Sequence, residues 1–277
     1  MEVRFLPNQD VYQRMNTEEL RKSYVMEQLF RDGAVSMVYC DADRAIVGGA
    51  LPSTKPLKLE ASKKEMAADS FTERREIGII NLGGKGTVRV DKKEYTLDTK
   101  DTLYVGKGKK SIEFAGADSS RPAAFYFVSY PAHTEYPDTL ARSAEAESAM
   151  LGAPEAANRR RLNKVIHGGG IKSCQLVMGF TELESGSVWN TMPAHTHQRR
   201  SEVYLYFGLD PDSVVVHMMG KPEETRSVLI RDRQAVISPS WSIHCGAGTR
   251  NYSFVWAMGG ENQEFSDMDA VAIKDMR

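Results

Sequence analysis

The sequence predicts an all-β-dominated fold of two antiparallel barrel-like (jelly-roll-like) halves with a few flanking helices. Three observations carry that expectation. Short strand-forming segments separated by glycine turns run from Glu76 onward, a second such series follows residue 160, and short blocks recur between the two. Arg74-Arg75-Glu76-Ile77 matches Arg200-Ser201-Glu202-Val203, and Lys110-Ser111-Ile112-Glu113 matches Trp241-Ser242-Ile243-His244. The chain therefore reads as a tandem duplication, residues 1–150 and 151–277, with extra residues expected in the turns at 210–212 or 220–224.

The first element is a helix starting near Thr17, where Asn16 caps and Glu19 answers it in a capping box. Val25, Met26, Leu29 and Phe30 continue one apolar side, and Gly33 is placed to end the helix. Residues 35–40 and 45–50 are rich in strand formers. Further strands are expected at 77–82, 87–90, 95–97, 102–105, 111–114 and 124–128. Residues 138–150 are alanine-rich and predict a helical connector that Pro154 breaks. The second series comprises 165–166, 175–180, 203–207, 214–219, 227–230, 235–237 and 252–256. Gly168-Gly169-Gly170 lacks the Gly-Lys-Ser/Thr of a phosphate loop and reads as a mobile loop, and residues 107–110 read as an exposed turn.

The chemistry concentrates in Met192-Pro193-Ala194-His195-Thr196-His197-Gln198-Arg199-Arg200-Ser201-Glu202. On an extended strand, side chains at i and i+2 share a face, so His195 and His197 point the same way. A short turn returns Glu202 to that face, and His244 offers a fourth donor from a later strand. Three imidazoles and a carboxylate suit a borderline divalent ion such as Zn, Mn, Fe or Ni, with room left for a substrate oxygen. In the first copy, the matched blocks put Asp69, Phe71, Glu76 and Glu113 opposite these four. That half lacks the imidazoles and is expected to be structural or oligomerising.

With 36 basic and 37 acidic residues, no global field favours nucleic acid or an anionic membrane surface. No apolar run reaches the roughly 18 residues of a membrane helix, and the first residues lack a basic-then-apolar signal pattern. Cys40, Cys174 and Cys245 are few and widely spaced, which fits a reducing compartment, and a cytoplasmic location is expected. Cys245 adjoins His244, but neighbours on a strand face opposite sides, so it reads as a core residue rather than a nucleophile.

His195-Thr196-His197, Glu202 five residues on, and Pro239 followed by His244 resemble the two short motifs of the cupin barrel, so two copies imply a bicupin. Trp241 stands where those motifs usually have glycine. Over its whole length the chain resembles the 5-dehydro-4-deoxy-D-glucuronate isomerase family, most specifically through residues 193–204, and also through 12–19 and Asn158-Arg159-Arg160. That resemblance implies a cytoplasmic homohexamer of pectin and uronate catabolism with one zinc (Zn2+) per subunit, held by His195, His197, Glu202 and His244. The implied reaction is an aldose–ketose isomerisation giving 3-deoxy-D-glycero-2,5-hexodiulosonate.

Such a reaction needs a base near C2 and a cation for the substrate carboxylate. Tyr204 and Tyr206 are candidates for the first, because alternate residues after Glu202 share its face; the alternative reading is core aromatics. Arg160 or Arg199 are candidates for the second, together with Arg159 and Arg161; the alternative is a solvated face. Two rival functions stay open: an iron-dependent bicupin dioxygenase and a non-enzymatic sugar-binding bicupin.

Overall fold

The computed structural model describes all 277 residues, which form two compact units. The first takes Met1–Arg4, Gln28–Glu147 and Val165–Val177, and the second takes Phe5–Glu27, Ser148–Lys164 and Met178–Arg277. Most of residues 28–147 and 178–277 thus fall either side of residue 150, while 5–27 go with the second unit and 165–177 with the first. No helix is long and apolar enough to cross a membrane.

The predominantly β architecture predicted from the sequence is present. One seven-stranded sheet runs in the order Glu2–Arg4, Val35–Cys40, Ile46–Ala50, Phe125–Pro131, Arg75–Asn81, Thr102–Val105, Thr139–Ala141. A four-stranded sheet accompanies it, in the order Leu57–Lys58, Ile112–Gly116, Gly86–Val90, Lys93–Leu97. The same scheme recurs: Glu147–Leu151, Arg160–Ile166, Val177–Leu183, Ser253–Gly260, Arg200–Phe207, Ala235–Ser238, Val25–Met26, with Trp189–Asn190, Ile243–Gly248, Val215–Lys221, Glu224–Ile230 as the smaller sheet. A short extra ladder joins His195–Thr196 to Asp269–Ala270.

Two elements differ from expectation. The capped helix is Thr17–Tyr24, with the predicted Asn16–Glu19 capping box, but it stops before the apolar run. Val25 and Met26 instead form an edge strand opposite Val236 and Ala235, because ladder bonds and full burial of both side chains outweigh the helical preference of the run, which the β-branched Val25 already weakens. The expected connector helix at 138–150 is strand Thr139–Ala141, a 3-10 turn at Ser143–Glu145 and strand Glu147–Leu151. Alanine content favours a helix there, but Leu140 pairs with Leu103, and the Asp101 carboxylate holds Arg142 Nη1 at 2.7 Å and the Ser143 N–H at 2.9 Å.

The duplication is visible in the topology, but its residue alignment is shifted from the sequence blocks. Ile77, Ile79, Ile112 and Phe114 share one core with Phe125 and Phe127. Alternation therefore places Glu76 on the opposite face of its strand. There its carboxylate accepts from the N–H groups of Cys174 (2.6 Å), Gln175 (2.9 Å) and Leu176 (2.8 Å), and from the Tyr104 hydroxyl (2.8 Å). Glu76 is thus a buried anchor, not the counterpart of Glu202. Phe71 lies in the first unit's core, and Glu113 pairs with Arg89, so the four positions do not converge.

A second pair of close approaches gives the register. A Cβ on Gly48 would lie 2.2 Å from the Phe127 ring, and one on Gly179 would lie 2.3 Å from the Trp256 ring, so a glycine admits an aromatic at the same place in each half. Phe127 pairs with Ile79 and Trp256 with Tyr204. Counting back four residues along each strand, Arg75 corresponds to Arg200. A one-residue slip exchanges every side chain between faces, which is why a short block match misassigned them.

Candidate metal centre

The strand Arg200–Phe207 carries Glu202 and Tyr204 into the second unit's interior, and the loop before it presents His195 and His197 through the short ladder with Asp269–Ala270. His244 arrives from Ile243–Gly248. The ligand atoms of His195, His197, Glu202 and His244 all lie within 4.8 Å of one another. His195 Nε2 is 3.2 Å from His197 Nε2 and 3.1 Å from His244 Nε2. One Glu202 oxygen is 3.1 Å from His197 Nε2 and 2.8 Å from His244 Nε2. The four side chains singled out in the sequence are therefore brought together, three of them buried and His195 facing a cavity.

The tautomers make this set suited to a cation. His197 Nδ1 lies 2.9 Å from the Asp267 carbonyl and His244 Nδ1 lies 3.3 Å from the Ser242 carbonyl. A carbonyl oxygen only accepts, so each Nδ1 carries the proton and each Nε2 turns its lone pair into the space it shares with the Glu202 carboxylate, an arrangement of acceptors that calls for a cation between them. A divalent ion held by these residues would draw on a lone pair from each of the four. Burial, and next the neighbouring His244, push His195 down to about 3. Burial alone would push the Glu202 carboxyl up, but His244 and His197 around it hold it below the usual carboxylate range.

A cavity of about 290 Å3 opens beside these groups, with Arg160, Arg200 and Tyr204 as its other titratable walls and Phe254, Trp256 and Met258 among its apolar ones. Arg160 lines it as one of the expected arginines, its Nη1 donating to the Asn158 carbonyl at 2.8 Å and its guanidinium pushed down by burial. Arg199 does not line it. That guanidinium turns to the carboxylate of Asp267, whose other partner is Asn262 at 2.6 Å, and these two bonds hold the Asp267 carboxyl well below its usual range.

Sequence reasoning missed Arg200. It is 1% exposed, its Nη2 donates to the Asp267 carbonyl at 2.9 Å, and Nε and Nη1 have no partner. The signal was available, since Arg200 precedes Glu202 by two residues and shares its face. Tyr204 lines the cavity with its hydroxyl 3.0 Å from Thr191 Oγ1, and burial, then the Glu202 charge, raise it well above its usual range. It is consequently a proton donor at neutral pH rather than a ready base. Tyr206 lies outside the cavity wall, its hydroxyl 2.8 Å from His217 Nδ1. Cys245 packs with Ala194 and Ile243, and burial pushes its thiol up to about 12, as befits a core residue. Trp241 packs edge-on to Tyr12, with ring centres 5.1 Å apart.

A model of the KduI/IolB family matches residues 24–275. The chain is 50% identical over 277 residues to the 4-deoxy-L-threo-5-hexosulose-uronate ketol-isomerase of Caldicellulosiruptor bescii and 51% identical to that of Opitutus terrae, with 100% of each sequence covered. Among solved structures, an IolB-like protein from Salmonella typhimurium matches with a TM-score of 0.72, covering 90% of this chain and 97% of that one at 11% identity. Oxalate decarboxylase from Lactobacillus farciminis matches with a TM-score of 0.60, covering 91% and 88% at 9% identity. At those identities the structural likeness speaks for the fold alone.

Proposed function

The chain belongs to the KduI/IolB family, and we propose from that premise that it interconverts 4-deoxy-L-threo-5-hexosulose uronate, the 5-dehydro-4-deoxy-D-glucuronate named above, and its 2-ketose. Full-length identity near one half to ketol-isomerases is the observation that carries this reading. The convergence of three imidazoles and a carboxylate beside a cavity supports it.

The reaction is redox-neutral overall: the C2 proton moves to C1, and the O2 proton moves to O1. His195, His197, Glu202 and His244 would hold a divalent ion; the donor set suits Zn, Mn, Fe or Ni, and the family resemblance implies zinc. When bound, such an ion supplies Lewis acidity and charge for the enediolate oxygens. The chain's own groups complete the site. Arg200, with Nε and Nη1 unpaired, and Arg160 receive the substrate carboxylate and orient the chain of carbons. Tyr204, held protonated, donates to a developing oxygen, and the walls of Phe254, Trp256 and Met258 keep water from the reacting atoms. The homohexamer, the cytoplasmic location and the place in pectin breakdown belong to the same proposal and rest on the family resemblance.

Proton NMR in heavy water tests it. The C1 aldehyde signal should convert to that of the ketose, with deuterium entering C1, and a chelator should stop the conversion. Absence of conversion by metal-loaded protein would discard the substrate assignment. Oxygen uptake measured in parallel would instead favour a dioxygenase.

A further inference from the structure

The first unit has a cavity of its own, of about 350 Å3, with Tyr39, Ile46, Met66, Phe71, Arg74 and Arg75 in its walls. No imidazole lines it, so the chemistry of the second unit's site is missing. Its arginine is not. Arg75 stands at the position matching Arg200 and is 8% exposed. Its Nε donates to Ser129 Oγ at 3.1 Å, and its Nη2 donates to the carbonyls of Arg44 (2.5 Å) and Ser129 (2.8 Å).

All three acceptors are neutral, no carboxylate pairs with this guanidinium, and its Nη1 makes no hydrogen bond. A buried cation without a counter-charge is costly, and burial pushes Arg75 down to about 10. The cavity's one carboxylate, Glu65, is already neutralised by the Met1 amino group at 2.6 Å and accepts from the Ser62 hydroxyl at 2.9 Å. The Tyr39 hydroxyl has no partner. Arg74, half-exposed at the rim, donates to the Met66 and Ala67 carbonyls and lies 3.4 Å from Glu73.

We infer that this cavity is a second, metal-independent binding site for a small organic carboxylate, received by Arg75 Nη1 and the Tyr39 hydroxyl, with Arg74 adding positive charge at the rim. A planar guanidinium edge suits a carboxylate, and the volume is of the same order as the cavity beside the metal centre. The site stands apart from the isomerase reading, since none of the groups assigned to that reaction takes part.

Calorimetric titration of the full-length, metal-loaded Arg200→Ala variant with D-galacturonate, and separately with acetate, tests this inference. A saturable component is expected, and Arg75→Lys or Arg74→Glu added to that background should weaken it by about tenfold, the scale of one charge-assisted hydrogen bond. A component weakened by those substitutions upholds the site: if it is seen with D-galacturonate alone it identifies uronates as the ligand class, and if it is seen with acetate as well it identifies small acids generally. No saturable heat with either acid up to about 10 mM, or a component that neither substitution alters, would overturn it. Should Arg75→Lys fail to fold, the rim variant Arg74→Glu decides by itself.

Discussion

The carbonyl oxygen of Asp267 accepts from His197 Nδ1 at 2.9 Å, so a residue seventy positions downstream sets the tautomer of a candidate metal ligand. The same oxygen accepts from Arg200 Nη2 at 2.9 Å, and the Asp267 carboxylate is clasped by Arg199 and Asn262. One backbone group thereby orients both a candidate metal ligand and the arginine proposed to meet substrate.

Arg199→Ala should release that clasp. Outer partners of metal ligands are worth roughly 10- to 100-fold in affinity, so metal affinity measured by chelator competition should fall by about tenfold. The Arg199 side chain is largely solvated, and an exposed pair contributes only about 0–1 kcal/mol, so the unfolding midpoint should barely move. Unchanged metal affinity would show that the Asp267 carbonyl keeps its place without the ion pair.

Arg200→Ala removes two free donors from the cavity. Hydrogen bonds to charged groups are worth about 1.5–3 kcal/mol, so kcat/KM should fall by roughly 10- to 100-fold, mainly through KM, if Arg200 binds the substrate carboxylate. A substrate analogue without the carboxylate should be turned over equally by both proteins. Equal losses with and without the carboxylate would assign Arg200 to support of His197 instead.

Glu76→Gln should destabilise the chain while leaving metal content unchanged. The carboxylate accepts three backbone N–H groups and a phenol, and an amide turns an NH2 toward some of those donors. Stability in urea is expected to fall by about 2 kcal/mol. Loss of bound metal in this variant would contradict the register that sets Glu76 apart from Glu202.

Alkaline pH should unfold the protein through its buried phenols. Burial raises Tyr104, Tyr126, Tyr204, Tyr206 and Tyr252 well above their ordinary value of 10.0. Above about pH 10 the unfolded chain loses these protons while the folded chain keeps them, so the unfolded state binds fewer protons and stability falls as pH rises. The stabilisation is fully present below that pH. Tyrosinate absorbance should therefore appear together with loss of β circular dichroism, and early ionisation of these phenols in a folded chain would refute the assignment.

Much of the site was legible because it rests on short-range rules. His195-Thr196-His197 share a face by alternation, Glu202 follows one turn later, and the donor types name the class of metal. The same alternation would have found Arg200, had it been applied backward from Glu202. Helix Thr17–Tyr24 was legible up to its cap because the capping box is local, but its end was decided by a strand more than two hundred residues away.

What the sequence by itself determined was the β-rich, repeated architecture and the four side chains, His195, His197, Glu202 and His244, that converge in the candidate site. The tertiary structure decided which arginine faces the cavity, that Arg199 serves Asp267, that residues 138–150 pair as strands, and that the two copies align one residue away from their most similar letters. The reason lies in the two-residue period of a strand. Letters resemble one another without regard to face, whereas a single step along a strand exchanges core for exterior, and only the packing of Phe127 over Gly48 and Trp256 over Gly179 fixes which step is right.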